Sequence, residues 1–297
     1  MQSFRTGYIS IVGRPNVGKS TLFNRLVQQK LSIVSRKPQT TRWSLHGIKT
    51  TKNAQIIYID TPGLQKNPKL ALNRYMNKEV INSLTYIDAI LFVIEVKKWN
   101  ELDENVLATL KKVSKNRIIL VINKIDKLKD KNEILSFINM INNKTGLTEI
   151  MPVSAKKNIA LDKLENLIVK KLPVATAIYP EEQITDRGDR FFAAEFIREK
   201  LISRLNKEIP YRLSITIDEF KSKKTHVDIH ATIWVEKKGQ KSIVIGTEGN
   251  VLKAAGKAAR EDLEKLYNKK INLKTWVKVK SNWADSENAL KQLGFSD

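Results

Sequence analysis

Gly13-Arg14-Pro15-Asn16-Val17-Gly18-Lys19-Ser20 follows the apolar run Tyr8–Val12 and opens a stretch of helical periodicity, Ser20–Gln28. The spacing is G-x-x-x-x-G-K-[ST] between a strand and a helix, the setting in which it forms a phosphate-binding loop rather than an ordinary glycine turn. Gly13 and Gly18 permit backbone angles and close approaches that a Cβ would block, so successive N–H groups of the loop, among them those of Arg14, Asn16 and Val17 around Pro15, can face phosphate oxygens. Lys19 is expected to reach the β- and γ-phosphates, Ser20 to ligate Mg²⁺, and the helix N-terminus to add positive potential.

Outward from this loop, apolar runs alternate with helical stretches through residues 1–174. Tyr8–Val12, Ala54–Ile59, Ala89–Val96, Ile118–Ile122 and Glu149–Val153 are predicted strands. Ser20–Gln28, Leu70–Leu84, Asp103–Ser114, Ile134–Asn143 and Leu161–Leu172 are predicted helices. The pattern is that of βα units in a doubly wound α/β fold with a mostly parallel sheet, whose ligands sit at the carboxyl ends of the strands.

Those strand ends carry chemistry. Asp60-Thr61-Pro62-Gly63 closes the second predicted strand, where a carboxylate reaches the metal through water and the Gly63 N–H reaches a γ-phosphate. Asn123-Lys124-Ile125-Asp126 decides the base. The Asp126 carboxylate can accept from both N1–H and the exocyclic amine of guanine, whereas adenine leaves it unpaired, a difference worth orders of magnitude in affinity. GTP and GDP are therefore the expected ligands, with Ser154 and Ala155 of Val153-Ser154-Ala155 beside the guanine oxygen. Gln39-Thr40-Thr41-Arg42 lies where a first switch segment belongs, and a Thr hydroxyl there can close the Mg²⁺ shell only while γ-phosphate is present. Spacing does not separate Thr40 from Thr41.

Leu64 stands just after D-x-x-G, where many GTPases place a water-orienting Gln. An aliphatic chain cannot orient water, so the expectation is backbone positioning, with Gly63 contributing, assisted by a monovalent cation such as K⁺ held by Asn16. Gln65 acting in place of Leu64 is the alternative.

The 297 residues are enough for two domains, and the 41% hydrophobic and 28% charged content is globular. Zero Cys excludes disulfides and thiolate chemistry, three His make an all-imidazole zinc site unexpected, and no apolar run is long enough for a membrane span. A cytoplasmic, monomeric protein is expected. The net charge of +22 points to a polyanionic partner, although residues 1–174 carry 30 basic against 13 acidic side chains and residues 175–297 only 23 against 18.

Pro173 and Pro180 bracket an irregular stretch, and residues 175–190 are predicted to be a linker. Residues 191–283 form a second α+β domain: a helix near Arg190–Leu205, strands near Leu213–Phe220 and Val227–Glu236, a helix over Asn250–Asn268 and the strand Lys274–Lys280. Residues 284–297 form a helical tail. Gly246-Thr247-Glu248-Gly249, between the apolar Ser242–Ile245 and a helix, is a G-x-x-G loop of the kind that clamps a single-stranded nucleic-acid backbone in KH domains. Lys241, Gly246, Thr247, Gly249, Lys253, Lys257 and Arg260 are the expected RNA contacts, within a segment, Lys221–Lys280, of 15 basic and 6 acidic residues. Glu248 carries the wrong charge for phosphate.

The five nucleotide motifs resemble those of translation-factor-type GTPases. Ile184-Thr185-Asp186-Arg187 with Arg190-Phe191, Ile197-Arg198-Glu199-Lys200 and Trp276-Val277-Lys278-Val279-Lys280 with Trp283 narrow the resemblance to the Era family, over nearly the whole chain. That resemblance implies one G domain followed by a type II KH domain. It also implies GTP-dependent action in small ribosomal subunit assembly, binding at the 3′ end of 16S ribosomal RNA, and a fraction held peripherally at the inner membrane. The family also lacks the Gln at the Leu64 position. A tRNA-modifying GTPase would carry a C-terminal cysteine, and a tandem G-domain protein a second phosphate loop; this chain has neither.

Overall fold

The computed structural model describes residues 3–65, 68–110, 115–130, 132–206 and 208–295. Chain contacts divide it into two units. The first comprises Met1–Val34, Thr41–Pro68 and Met76–Asp186, and the second Ser35–Thr40, Lys69–Tyr75 and Arg187–Asp297.

The first unit is built on six strands: β1 (Arg5–Val12), β2 (Leu45–Thr50), β3 (Ala54–Asp60), β4 (Ala89–Glu95), β5 (Ile118–Asn123) and β6 (Ile150–Pro152). Their order is β2-β3-β1-β4-β5-β6. All neighbours are parallel except β2, which runs antiparallel to β3. Every residue of β3, β4 and β5 is buried, which explains their continuous apolar reading: a parallel strand covered by helices on both faces has no polar side to show. The helices are α1 (Lys19–Val27), α2 (Ala71–Asn82), α3 (Glu101–Leu110), α4 (Glu133–Thr145) and α5 (Leu161–Lys171). The last residues of the predicted helix Asp103–Ser114 lie outside the described residues.

Edge strand β2 was not among the predicted strands. Leu-His-Gly-Ile-Lys-Thr has little strand propensity, and Gly47 stands in it because a Cβ there would come within 2.6 Å of both Phe23 and Val27 of α1. Backbone pairing to β3 overrides the local preference.

The predicted linker is also different in the structure, because residues 174–186 are strapped onto the first unit. Buried Gln55 accepts from the N–H groups of Ile178 and Tyr179 at 2.8 and 2.9 Å and donates to the Tyr179 carbonyl at 2.8 Å. The Ile48 N–H donates to the Ile184 carbonyl at 2.9 Å. A buried amide needs partners, and this stretch supplies them.

The second unit contains α6 (Asp189–Arg204), β7 (Ser214–Ser222), β8 (His226–Val235), α7 (Lys238–Ile245), α8 (Asn250–Tyr267), β9 (Lys270–Val279) and α9 (Glu287–Gln292). Strands β7 and β8 are antiparallel, and β8 and β9 parallel. One face of the sheet, with Ile215, Ala231, Ile233, Val235 and Val277, packs on Leu201 of α6, Val244 of α7 and Ala255 and Ala259 of α8. Ser242–Ile245 was expected to be a plain apolar segment and is the end of α7. The Gln240 side chain caps the start of that helix by accepting from Glu236 and Lys237 N–H groups at 2.9 and 3.1 Å, and burial of Val244 outweighs the β-branched propensity of Ile243-Val244-Ile245. The tail is packed, since Trp283 is fully buried and stacks on Phe295, and Ser286 caps α9. Two short segments join this unit through main-chain bonds: Arg198 donates to the Thr40 carbonyl at 2.5 Å and the Ala71 N–H to Asp285 at 3.0 Å.

Candidate functional site

Strand β1 ends by passing into the loop 13–18, and the two glycines behave as required. A Cβ on Gly13 would sit 2.3 Å from the Val93 carbonyl. Gly18, at φ 101°, would place one 2.5 Å from the Asn123 amide. Lys19 is 6% exposed, and its ammonium donates to the Gly13 and Arg14 carbonyls at 2.9 and 3.1 Å. Burial lowers it to about 8, with the Asp60 carboxylate pulling upward and Arg14 adding a downward push. A lysine depressed in this way costs stability at neutral pH, and the cost fades as pH rises through that value. An anion in the loop is the partner that offsets it. The Arg14 guanidinium is not available to phosphate: it is spent on Asp103 of α3, at 2.9 and 3.1 Å, with Asp103 fully buried. Asn16 is exposed at φ 65°, and Pro15 packs under Gly63, where a Cβ would meet its ring at 2.8 Å.

At the mouth of the loop three oxygens converge. Ser20 and Thr41 hydroxyls lie 2.8 Å apart. Asp60, fully buried, accepts from Ser32 at 2.7 Å through one oxygen, while its other oxygen has no protein partner. Burial raises the Asp60 carboxyl, against the pull of Ser32, Lys19, Ser20 and Thr41. An orphaned carboxylate oxygen beside two hydroxyls is a hard-oxygen set that fits Mg²⁺. Thr40 is not part of it, since its hydroxyl donates to the Lys37 carbonyl at 2.6 Å. Thr61 is turned inward onto the Ile11 carbonyl at 2.7 Å. Leu64 packs against the core cluster of Phe92 and Ile94. Gln65 donates its amide to the Gly63 carbonyl at 3.1 Å, and Asn77 grips its backbone at both ends, at 2.9 Å each.

The base loop follows β5. Asn123 donates to the Val17 carbonyl at 2.9 Å and accepts from the Lys124 and Ala155 N–H groups at 2.8 and 3.0 Å, so one buried amide ties the phosphate loop, the Lys124 turn and the Ser154-Ala155 segment together. Ser154 donates to the Asp126 carboxylate at 2.5 Å, orienting the exposed acid. Lys124 reaches Asn16 and Glu95.

Sequence reading passed over Ser32, Glu95, Asp103 and Asn24. Asn24 accepts from the Leu31 and Ser32 N–H groups at 3.0 and 2.8 Å and so holds Ser32 toward Asp60. None belongs to a recognisable motif: Ser32, Glu95 and Asp103 act on residues distant in sequence, and Asn24 acts through Ser32.

In the second unit Gly246, Glu248 and Gly249 have φ of 76°, 51° and 78°. Lys253, Lys257 and Arg260 are exposed on α8, opposite the buried Ala255, Ala259 and Leu263. Lys241, Thr247 and Glu248 are also exposed.

Fold and site together define a P-loop GTPase joined to a KH domain. A family described as a 50S ribosome-binding GTPase matches residues 8–124, and one described as a KH domain matches 208–284. The GTPase Era of Ectopseudomonas mendocina is 47% identical over 99% of this chain and 98% of its own length, and that of Pseudomonas aeruginosa 45% over 99% and 96%. A crystal structure of Era in complex with MgGDPNP and nucleotides 1506–1542 of 16S ribosomal RNA superposes with a TM-score of 0.95 at 38% identity, covering 99% of this chain and all of that one. A point variant of Aquifex aeolicus Era bound to GDP·AlF4⁻ gives the same values. The chain belongs to the Era family of GTPases.

Proposed function

We propose that this protein is a GTP-hydrolysing switch that binds the 3′ end of 16S ribosomal RNA and acts in assembly of the small ribosomal subunit. The observation that carries the nucleotide half is the Asn123 amide, which joins the phosphate loop to the guanine loop. The RNA half rests on the G-x-x-G loop with its cationic helix and on the likeness to a relative solved with that RNA.

Main-chain amides of residues 13–18 and the Lys19 ammonium bind the phosphates, and Asp126, oriented by Ser154, reads guanine. Ser20, Asp60 and Thr41 would hold Mg²⁺, which when bound neutralises charge developing on the phosphates; Thr41, beside Ser20, is the switch threonine. Leu64 is committed to the core and Gln65 to the Gly63 carbonyl, so the backbone near Gly63 is left to orient water, and Asn16 would hold K⁺, which when bound would add positive charge beside the phosphates. Turnover should be faster in KCl than in NaCl and should fall in Asn16→Ala; equal rates would sink the cation reading. The G domain spans residues 1–174 and the KH domain 191–283, with Lys241, Gly246, Thr247, Gly249, Lys253, Lys257 and Arg260 contacting RNA.

No helix among the described residues is long and apolar enough to cross a membrane. We place the protein in the cytoplasm as a monomer, with a fraction held peripherally on anionic inner-membrane lipid by its lysines. Binding of a 16S 3′-end oligonucleotide, compared with binding to anionic vesicles, tests the assignment. RNA should bind more tightly with a GTP analogue than with GDP, and preference for vesicles over RNA would overturn the reading.

A further inference from the structure

Glu95 closes β4 and belongs to none of the nucleotide motifs. Its side chain is only 5% exposed, yet three ammonium groups surround it: Lys124 and Lys127 at 2.7 Å and Lys98 at 3.3 Å. Lys98 and Lys127 have side chains 61% and 54% exposed and are free to turn to water. Lys124, at 24%, is not. Its ammonium also donates to the Asn16 carbonyl at 2.5 Å, and its Cε would lie 3.9 Å from a Cβ on Gly18, so the side chain runs across the phosphate loop. Its backbone, at φ 67°, forms the turn between Asn123 and Asp126. One side chain therefore bridges the guanine loop to the phosphate loop, and a carboxylate behind it fixes its far end.

We infer that Glu95 is a positioning residue for guanine-nucleotide binding, holding Lys124 across residues 16–18 so that the base loop and the phosphate loop keep the separation of one nucleotide. The carboxylate is suited to this because it stays charged. Burial pushes it up, but the hydrogen bonds of Lys124, Lys127 and Lys98 outweigh burial and bring it down to about 2. Replacing it by a neutral amide of the same shape would leave mutually repelling cations without a counter-charge. Lys98 and Lys127 could relax into solvent, while Lys124 could relax only by leaving Asn16. The bridge spans two protein loops and touches no reacting atom, so its loss should act as uniform binding, raising KM and leaving kcat alone.

The test uses the full chain and a fluorescent GDP analogue. Glu95→Gln should release it about 30-fold faster, the low end of what is expected when one partner of a buried charge pair is truncated, with KM for GTP raised and kcat unchanged. Lys127→Met alone keeps the Glu95 to Lys124 pair and should change release by less than about twofold. Added to Glu95→Gln it removes one repelling charge and should recover part of the lost affinity, a rescue that a purely structural role for Glu95 would not show. Glu95→Asp, which keeps the charge one methylene short, serves if Glu95→Gln does not fold, and should release at an intermediate rate. Wild-type release rates in both carboxylate variants, or a lower melting temperature or lower kcat with unchanged release and KM, would overturn the inference. Failure of the wild-type protein to bind GDP would instead overturn the GTPase reading on which it rests.

Discussion

The phosphate loop of the first unit and the G-x-x-G loop of the second share a plan, two glycines ahead of a helix, but are held in opposite ways. Around residues 13–18, side chains converge on main-chain carbonyls: the buried Lys19 on Gly13 and Arg14, the buried Asn123 on Val17, and the half-buried Lys124 on Asn16. Around residues 246–249 the described bonds are between backbone groups, Gly246 to Ser242 at 2.8 Å and Gly249 to Gly246 at 3.0 Å, and Thr247 and Glu248 face solvent. A compact triphosphate rewards a preorganised, low-dielectric cradle. A polymer presents repeated charges over a long path, so exposed cations can share the work and the binding is salt-dependent.

That contrast can be broken at its rigid end first. Asp126→Asn leaves Ser154 in place but turns one of the two acceptor oxygens offered to guanine into an N–H donor and removes the charge, and GDP affinity measured by calorimetry should fall by about 10³-fold or more. Unchanged affinity would remove the basis of base recognition. Asp103→Ala strands the buried Arg14 guanidinium, and denaturant unfolding should show a loss of about 3 kcal/mol, typical of breaking a buried ion pair.

The pliant end should respond less. Glu248→Lys reverses the charge inside the loop and should tighten RNA binding about 5-fold at low salt, the gain shrinking as salt rises. Lys257→Ala should weaken RNA about 2- to 3-fold whatever its sequence and reduce the salt slope by about one ion. A larger, sequence-dependent loss would mean that the helix reads bases and that the contrast is overdrawn.

Legibility in the sequence followed the same division. The motifs 13–20, 60–63, 123–126 and 153–155 could be read because each is a contiguous run at a strand end, where local geometry and chemistry coincide. Strand β2 and helix α7 could not, since His46-Gly47 and Ile243-Val244-Ile245 carry the wrong local propensity and are decided by pairing with β3 and by burial of Val244. Residues 174–186 looked like a linker because nothing in their composition announces that the Gln55 amide needs their backbone groups.

The sequence by itself determined the α/β class, the phosphate loop and the G-x-x-G loop, and pointed to Asp126 as the acid expected to read guanine, because short-range spacing specifies how a turn presents its own backbone. Only the tertiary structure decided that Thr41 rather than Thr40 stands beside Ser20, that Arg14 belongs to Asp103, and that Glu95 stands behind Lys124. Those pairings join residues far apart in the chain, and the burial that makes them strong exists only once the strands have brought their ends together.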